Sequence, residues 1–467
     1  MSRKWLSKRK VYFHETLISI LLLLWEIYKV IIARLLGKIG FVKLRKEVIT
    51  EEEDNTIEES ILKAKDIAEI ADAYGYLIRE FLVTTRDNYL LVIHKLEKKG
   101  RMQNSFNKVA YFQHGLLTNS ELFLLGSLKE KILPFWLLDA GYDVWLGNNR
   151  GNKYSRKHSF ISPEEPDFWD FSLDEYAMYD IPDTLTYIWT FYGGQKKITY
   201  FGFSQGCAQF LASLSLKPSL NEIINVFVGL SPALIPSNLN HPIFRILVKL
   251  AANDNNFLYS LFGNHALIPS VVFWYMALGP SIYEKIVNWS LFYLFGWTGV
   301  NISATQRKIG YPHLFSNSSV KCLIHWFQII QAQRFQMFEE TSKCGMTNLS
   351  NATASTKQKS NRVPPFPIAH HLYIPMILVY GDADGLVNID LTKELILTKN
   401  EKMKMQPFSI IRCPGYEHMD TLWGNNVCND VFLPVIEALN ENDDEKSTIG
   451  NDTPLEEVQE EKQAYPF

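Results

Sequence analysis

Ile198-Thr199-Tyr200-Phe201-Gly202-Phe203-Ser204-Gln205-Gly206 runs directly into Cys207-Ala208-Gln209-Phe210-Leu211. The first six residues read as a buried strand. From Cys207 onward the apolar residues recur at helical spacing. Between the two lies Gly202-x-Ser204-x-Gly206. In that context of strand, sharp turn and helix, the pattern places a nucleophilic serine at the apex of the turn. The glycines remove side chains that would collide with neighbouring elements, and the turn itself is strained. The hydroxyl then stands at the carboxyl end of a sheet, beside a helix N-terminus that favours developing negative charge.

Outward from this turn, short apolar runs alternate with helical patterns. The runs are 109–113, 143–146, 198–203, 226–230, 375–380 and 408–411. Such alternation predicts an α/β fold with a mostly parallel central sheet covered by helices on both faces. Ahead of it, 79–84 and 89–94 read as an antiparallel hairpin around Arg86-Asp87-Asn88, and 56–73 reads as a helix capped by Thr56. The rhythm breaks after Pro232, where a long, aromatic, largely helical stretch reads as an inserted cap. One of its helical patterns spans 321–340. The expected organisation is therefore an N-terminal anchor over 1–48, the first part of the core over 56–232 and the cap over 233–366. The second part of the core follows over 367–439, and an acidic, disordered tail over 440–467. A Ser/Thr/Asn/Lys-rich loop at 341–362 reads as disordered.

The 467 residues carry a net charge of −3 with no basic block inside the folded region, which leaves nucleic-acid binding without an electrostatic footprint. Five cysteines at unpatterned spacings suit reduced thiols and match no metal motif. The N-terminus has a basic cluster (Arg3, Lys4, Lys8, Arg9, Lys10) before the run from Leu17 to Trp25. A second apolar stretch, Ile27 to Leu36, is interrupted by Glu26, Lys29 and Arg34, and Lys38, Lys43, Arg45 and Lys46 close it. The uninterrupted part is about half of the ~20 residues a span needs. No small-residue cleavage site comes after it, which argues against a signal peptide. A single-pass anchor and an in-plane or re-entrant anchor both remain open. Basic residues on both flanks point to two cytosolic ends.

A nucleophilic serine needs a base and an orienting acid, and in this arrangement they follow in the order Ser, Asp or Glu, His. The strand 375–380 runs into Gly381-Asp382-Ala383-Asp384-Gly385, so Asp382 and Asp384 are both candidate acids. After the last strand comes Tyr416-Glu417-His418, and His418 is the expected base. The oxyanion donors should be backbone N–H groups of Gln205 and of Leu116, the latter in His114-Gly115-Leu116-Leu117 after the strand 109–113. His114 is expected to brace that loop and Arg150 to fix the loop 147–152.

With these residues in view, the chain resembles the acid lipase family. The motifs are Thr85-Arg86-Asp87-Asn88-Tyr89, Gln113-His114-Gly115-Leu116-Leu117, Gly141-Tyr142-Asp143-Val144-Trp145, Gly147-Asn148-Asn149-Arg150-Gly151-Asn152 and Phe168-Trp169-Asp170-Phe171-Ser172. The likeness runs from about Glu58 to Phe432, and the branch of membrane-anchored yeast steryl ester hydrolases looks close. It implies an α/β-hydrolase fold with a helical cap over a lipid pocket. It also implies Ser204, Asp384 and His418 as the catalytic set, with Asp384 chosen over Asp382, and Leu116 and Gln205 as oxyanion donors. The implied activity is hydrolysis of steryl esters and triacylglycerols without a cofactor. The N-terminal anchor departs from the secreted branch, and the 341–362 insertion from the family.

The expectation is thus a serine lipase acting on neutral lipid at a membrane or lipid-droplet surface. It would sit on the endoplasmic reticulum or droplets, with its catalytic domain facing the cytosol. Two rivals are an acyltransferase using the same serine and a non-catalytic lipid-binding protein on this fold. A complete set of catalytic residues argues against the second.

Overall fold

The computed structural model describes residues 54–100, 108–237, 248, 255–267, 275, 278–340, 363–398 and 400–451. Its centre is a nine-stranded sheet: β1 (Tyr76–Thr84), β2 (Tyr89–Lys98), β3 (Lys108–Gln113), β4 (Tyr142–Leu146), β5 (Lys157–His158), β6 (Ile198–Phe203), β7 (Ile224–Leu230), β8 (Met376–Gly381) and β9 (Phe408–Cys413). The spatial order is β1-β2-β4-β3-β6-β7-β8-β9, with β5 pairing beside β2. β1, β2 and β4 pair antiparallel, and every pair from β4 to β9 is parallel. The expected α/β fold and the hairpin are therefore present, the hairpin turning at Asn88 with φ +72°.

The central strands are buried on both faces, as parallel sheets require. Ala110, Phe112, Phe201, Phe203 and Val228 pack into one apolar core, while Val109, Tyr111, Tyr200 and Phe227 pack into the other. That alternation is the two-residue period of a strand, with apolar residues on both sides.

Three local expectations need correction. The stretch 56–73 is two helices, Asp54–Lys63 and Ile67–Ala73, because Asp66 takes an extended conformation and its carboxylate caps Ala68 and Glu69 N–H. The helix expected over 321–340 is Val320–Ala332. It ends where Gln333 adopts a left-handed conformation, φ +46°. At the C-terminus, the helix Leu433–Asn451 continues past Asn440, where a disordered tail was expected to begin.

Between β7 and β8 the chain leaves the sheet for the helices Asn255–Phe262, Pro280–Phe295, Ala304–Leu314 and Val320–Ala332. The segment 341–362 and the N-terminal segment 1–48 lie outside the described residues. Among the described residues no helix is long and apolar enough to cross a membrane.

Candidate active site

Ser204 sits between β6 and the helix Gln205–Leu216 with φ +55° and ψ −117°. A non-glycine residue there is strained, and the surroundings hold it in place. Its N–H donates to Leu230 O (3.0 Å), and its carbonyl accepts from Cys207 N (3.0 Å). The flanking glycines have no room for a side chain. A Cβ on Gly206 would lie 2.2 Å from Gln113 O, and one on Gly202 2.8 Å from Cys207 N. A Cβ on Gly115 would come within 3.0 Å of the Ser204 Cβ, so the loop after β3 packs directly onto the serine.

His418 and Asp384 meet from the loops after β9 and β8. His418 Nδ1 donates to Asp384 Oδ2 at 2.6 Å, both side chains almost fully buried. The other Asp384 oxygen accepts from Leu386 N–H at 2.9 Å, so the carboxylate is fixed at both ends. With the proton on Nδ1, the Nε2 of His418 is left as an acceptor. Asp382, two residues earlier, faces outward. It accepts from Arg412 and from Gly415 N–H, and the Arg412 guanidinium holds its carboxyl below the usual range. A Cβ on Gly381 would fall 2.0 Å from Tyr416 O, so the two loops are in backbone contact.

Ser204, His418, Leu116 and Gln205 all border one cavity of about 960 Å³, its open mouth included. Gln205 opens its helix, where the first N–H groups have no partner within the helix. The remaining walls are mainly apolar, among them Leu117, Phe203, Leu291, Phe295, Leu323 and Phe327. No Asp, Glu, Lys or Arg borders it among the described residues.

The insertion supplies parts of this site that the sequence did not reveal. The Trp297 indole stacks on the His418 ring, centroids 5.1 Å apart and planes 6° apart, and Phe203 packs against the same imidazole. Next to Trp297, Thr298 donates through N–H and Oγ1 to one oxygen of Glu417, and Gly299 N–H donates to the other. Trp326 Nε1 donates to Gln205 Oε1 at 2.7 Å. No local pattern announces these contacts, since each joins residues more than a hundred positions apart.

Two residues singled out in the sequence play bracing parts. His114 is buried, and burial holds its imidazole down at about 4, so it stays neutral. It donates from Nδ1 to Gly115 O (2.8 Å) and accepts Asn149 N–H at Nε2 (3.0 Å). Arg150, 1% exposed, is clamped between Asp180 and Asp87 and stacks over Tyr89. Arg150 does not border the cavity. Among the described residues no group of three or more His, Cys, Asp and Glu could hold a metal ion.

Comparison with known proteins decides the family. The family model described as the partial alpha/beta-hydrolase lipase region matches residues 67–127, and that of the alpha/beta hydrolase fold matches residues 111–406. A Schizosaccharomyces pombe protein named a probable lipase is 39% identical over 402 residues, 86% of each chain. The chain belongs to the acid lipase family of α/β-hydrolases. As a member of that family it is a carboxylic ester hydrolase. The human lysosomal acid lipase/cholesteryl ester hydrolase is similar to this lipase at 29% identity over 373 residues, 77% of this chain and 86% of that one. A crystal structure from Sulfolobus solfataricus superposes on the lipase with a TM-score of 0.51 at 13% identity. It covers 79% of this chain and 95% of that one, and bears on the fold alone.

Proposed function

We propose that this lipase hydrolyses steryl esters and triacylglycerols through an acyl-enzyme on Ser204, at a membrane or lipid-droplet surface. The observation that carries the reading is the mainly apolar cavity over Ser204 and His418, bordered by no Asp, Glu, Lys or Arg among the described residues. Among those residues no charged group is therefore placed to recognise a polar ester. The names of the relatives point the same way, since one is a cholesteryl ester hydrolase and another a gastric triacylglycerol lipase.

In the proposed reaction Ser204 Oγ attacks the ester carbonyl carbon while His418 Nε2 takes its proton. The resulting oxyanion accepts from Leu116 and Gln205 N–H, which are fixed before charge develops. Asp384 holds the His418 tautomer and stabilises the imidazolium. Collapse breaks the carbon–alkoxy bond, and the leaving sterol or glyceride takes the proton from His418. Water then attacks the acyl-Ser204 carbonyl, giving its proton to His418. A second collapse releases the fatty acid and returns that proton to Ser204. The stacked indole of Trp297, with Phe203 tilted against the same ring, keeps the imidazole plane fixed throughout.

The surface location rests on the basic-flanked apolar segment within 1–48. A droplet monolayer admits no water-to-water span, so a re-entrant or in-plane anchor fits it best. The proposed site is the cytosolic face of the endoplasmic reticulum and droplets. Purified full-length protein should release oleate from cholesteryl oleate and from triolein. A fluorophosphonate probe should label the protein but not the Ser204→Ala variant. A folded, labelled protein inactive on both lipids would overturn the substrate assignment. Labelling that survives Ser204→Ala would overturn the site. Removing 1–48 should shift the protein from floating membranes and droplets to the soluble fraction.

A further inference from the structure

The two oxyanion donors lie on different loops, 89 positions apart in sequence. A fixed hole needs something to hold those loops at one separation. A continuous buried chain of side chains does this. Trp326 Nε1 donates to Gln205 Oε1 (2.7 Å), and Gln205 Nε2 donates to Gln209 Oε1 (3.5 Å). Gln209 and Asn149 exchange two amide bonds, Gln209 Nε2 to Asn149 Oδ1 (3.0 Å) and Asn149 Nδ2 to Gln209 Oε1 (3.2 Å). Asn149 then reaches the other loop twice. Its Oδ1 accepts from Gln113 Nε2 (2.9 Å), and its backbone N–H donates to His114 Nε2 (3.0 Å). His114 in turn donates to Gly115 O, the carbonyl just before Leu116 N–H.

Gln113, His114, Asn149, Gln205 and Gln209 are all at most 4% exposed. Unpaired amides there would cost the full desolvation of each group, so the network is held as a unit. Asn149 and Gln209 do not border the cavity, which removes direct contact with substrate as an explanation for them.

We propose that Asn149 is the positioning residue of the oxyanion hole, tying the Gln205 loop to the Leu116 loop through Gln209 on one side and Gln113 and His114 on the other. The proposal rests on the hydrolase mechanism given above. It extends to the insertion, because Trp326 at the end of the chain belongs to the helix Val320–Ala332 that also walls the pocket.

The test uses the full-length protein, p-nitrophenyl butyrate and a trifluoromethyl ketone, whose hemiketal oxyanion mimics the reacting centre. Removing one oxyanion donor outright typically costs about 100- to 1000-fold in kcat, and a displaced pair should cost about 10- to 100-fold. Asn149→Leu should lose that factor in kcat with KM little changed, and the ketone should bind more weakly by a similar factor. The acid limb of the kcat/KM profile should keep its midpoint, because His418 and Asp384 are untouched. Gln209→Met should act in the same direction. The double variant should be little worse than the poorer single, as for residues acting as one unit. Folding is checked by far-UV circular dichroism and Tm, and Gln209→Met carries the test alone if Asn149→Leu does not fold. A folded variant with wild-type kcat, a loss confined to KM, or penalties that multiply would each overturn the proposal. Failure of the hydrolase reading itself would show in the wild-type protein, which would then neither turn over the ester nor bind the ketone.

Discussion

Replacing Asp384 by Asn tests the site most sharply, because two acids compete for one role. Asn has nearly the same shape, so the loop after β8 should keep its form and the bond from Leu386 N–H its acceptor. What disappears is the charge facing His418. The 2.6 Å contact places the two charge centres about 4 Å apart once His418 is protonated. At that separation, with an effective dielectric near 20, the pair attracts by about 4 kcal/mol. That energy is available only when the imidazolium forms, so it lowers the barrier and not the ground state. Its loss corresponds to about three decades in kcat, and an Asn amide that turns its NH₂ toward Nδ1 would select the wrong tautomer and add to the deficit. The assay is steady-state hydrolysis of a soluble ester by Asp384→Asn and Asp382→Asn, side by side with Tm. Asp382→Asn should stay within about twofold, because that carboxylate is paired with an exposed Arg412 and only half-shielded from solvent. Substantial activity in Asp384→Asn, or a collapse of activity in Asp382→Asn with Tm intact, would refute the reasoning.

Three further outcomes are expected from packing and charge. Gly206→Ala would set a Cβ 2.2 Å from Gln113 O, so the two oxyanion loops must part by about 1 Å. The expected result is about a 100-fold loss in kcat and a lower Tm, and wild-type kinetics would contradict the packing. Trp297→Ala exposes the stacked face of His418 and should lower kcat about tenfold, in line with the loss of up to ~2 kcal/mol of desolvated ring–cation attraction. Trp297→Phe should recover most of it, as steady-state assays would show. Asp174 is pushed up to about 7 by burial, and its Oδ1 has no hydrogen-bond partner among the described residues. The native state therefore holds this proton more tightly than the unfolded chain, and stability falls as pH rises from about 4 through 7. Asp174→Asn should raise Tm at pH 8 and leave it unchanged near pH 4; equal effects at both would place the charge elsewhere.

The strands of this sheet were legible because burial on both faces leaves uninterrupted apolar runs, and each of the six expected runs lies within an observed strand or overlaps it by all but one residue. The helix boundary at Asp66 was not read from the sequence. Asp66 caps the second helix there by accepting from Ala68 and Glu69 N–H. The longer apolar period from 56 to 73 concealed it. Ser204 and His418 were readable for a different reason. Each occupies a turn at a strand end, and local sequence dictates such turns. Asp382 and Asp384 share one turn and differ only in what they meet, Arg412 on the surface or His418 in the interior. No local pattern carries that difference, and only the family resemblance separated them.

The contacts that complete the site are harder to read, and the reason is physical. Trp326 reaches Gln205 from 121 positions away, and Glu417 receives Thr298 and Gly299 from more than a hundred. In sequence each tryptophan of the insertion is one more apolar residue on a helix or in a loop. Only the path of the insertion back across the sheet makes one a ceiling for the base and the other a partner of the oxyanion loop. The insertion therefore does more than cover a pocket. It fixes the ring plane of His418 through Trp297 and the side chain of Gln205 through Trp326, so both ends of the reacting centre depend on its docking. Displacing the segment 297–301 or the helix Val320–Ala332 would therefore disturb the proposed base and oxyanion loop even with the residues of the sheet unchanged.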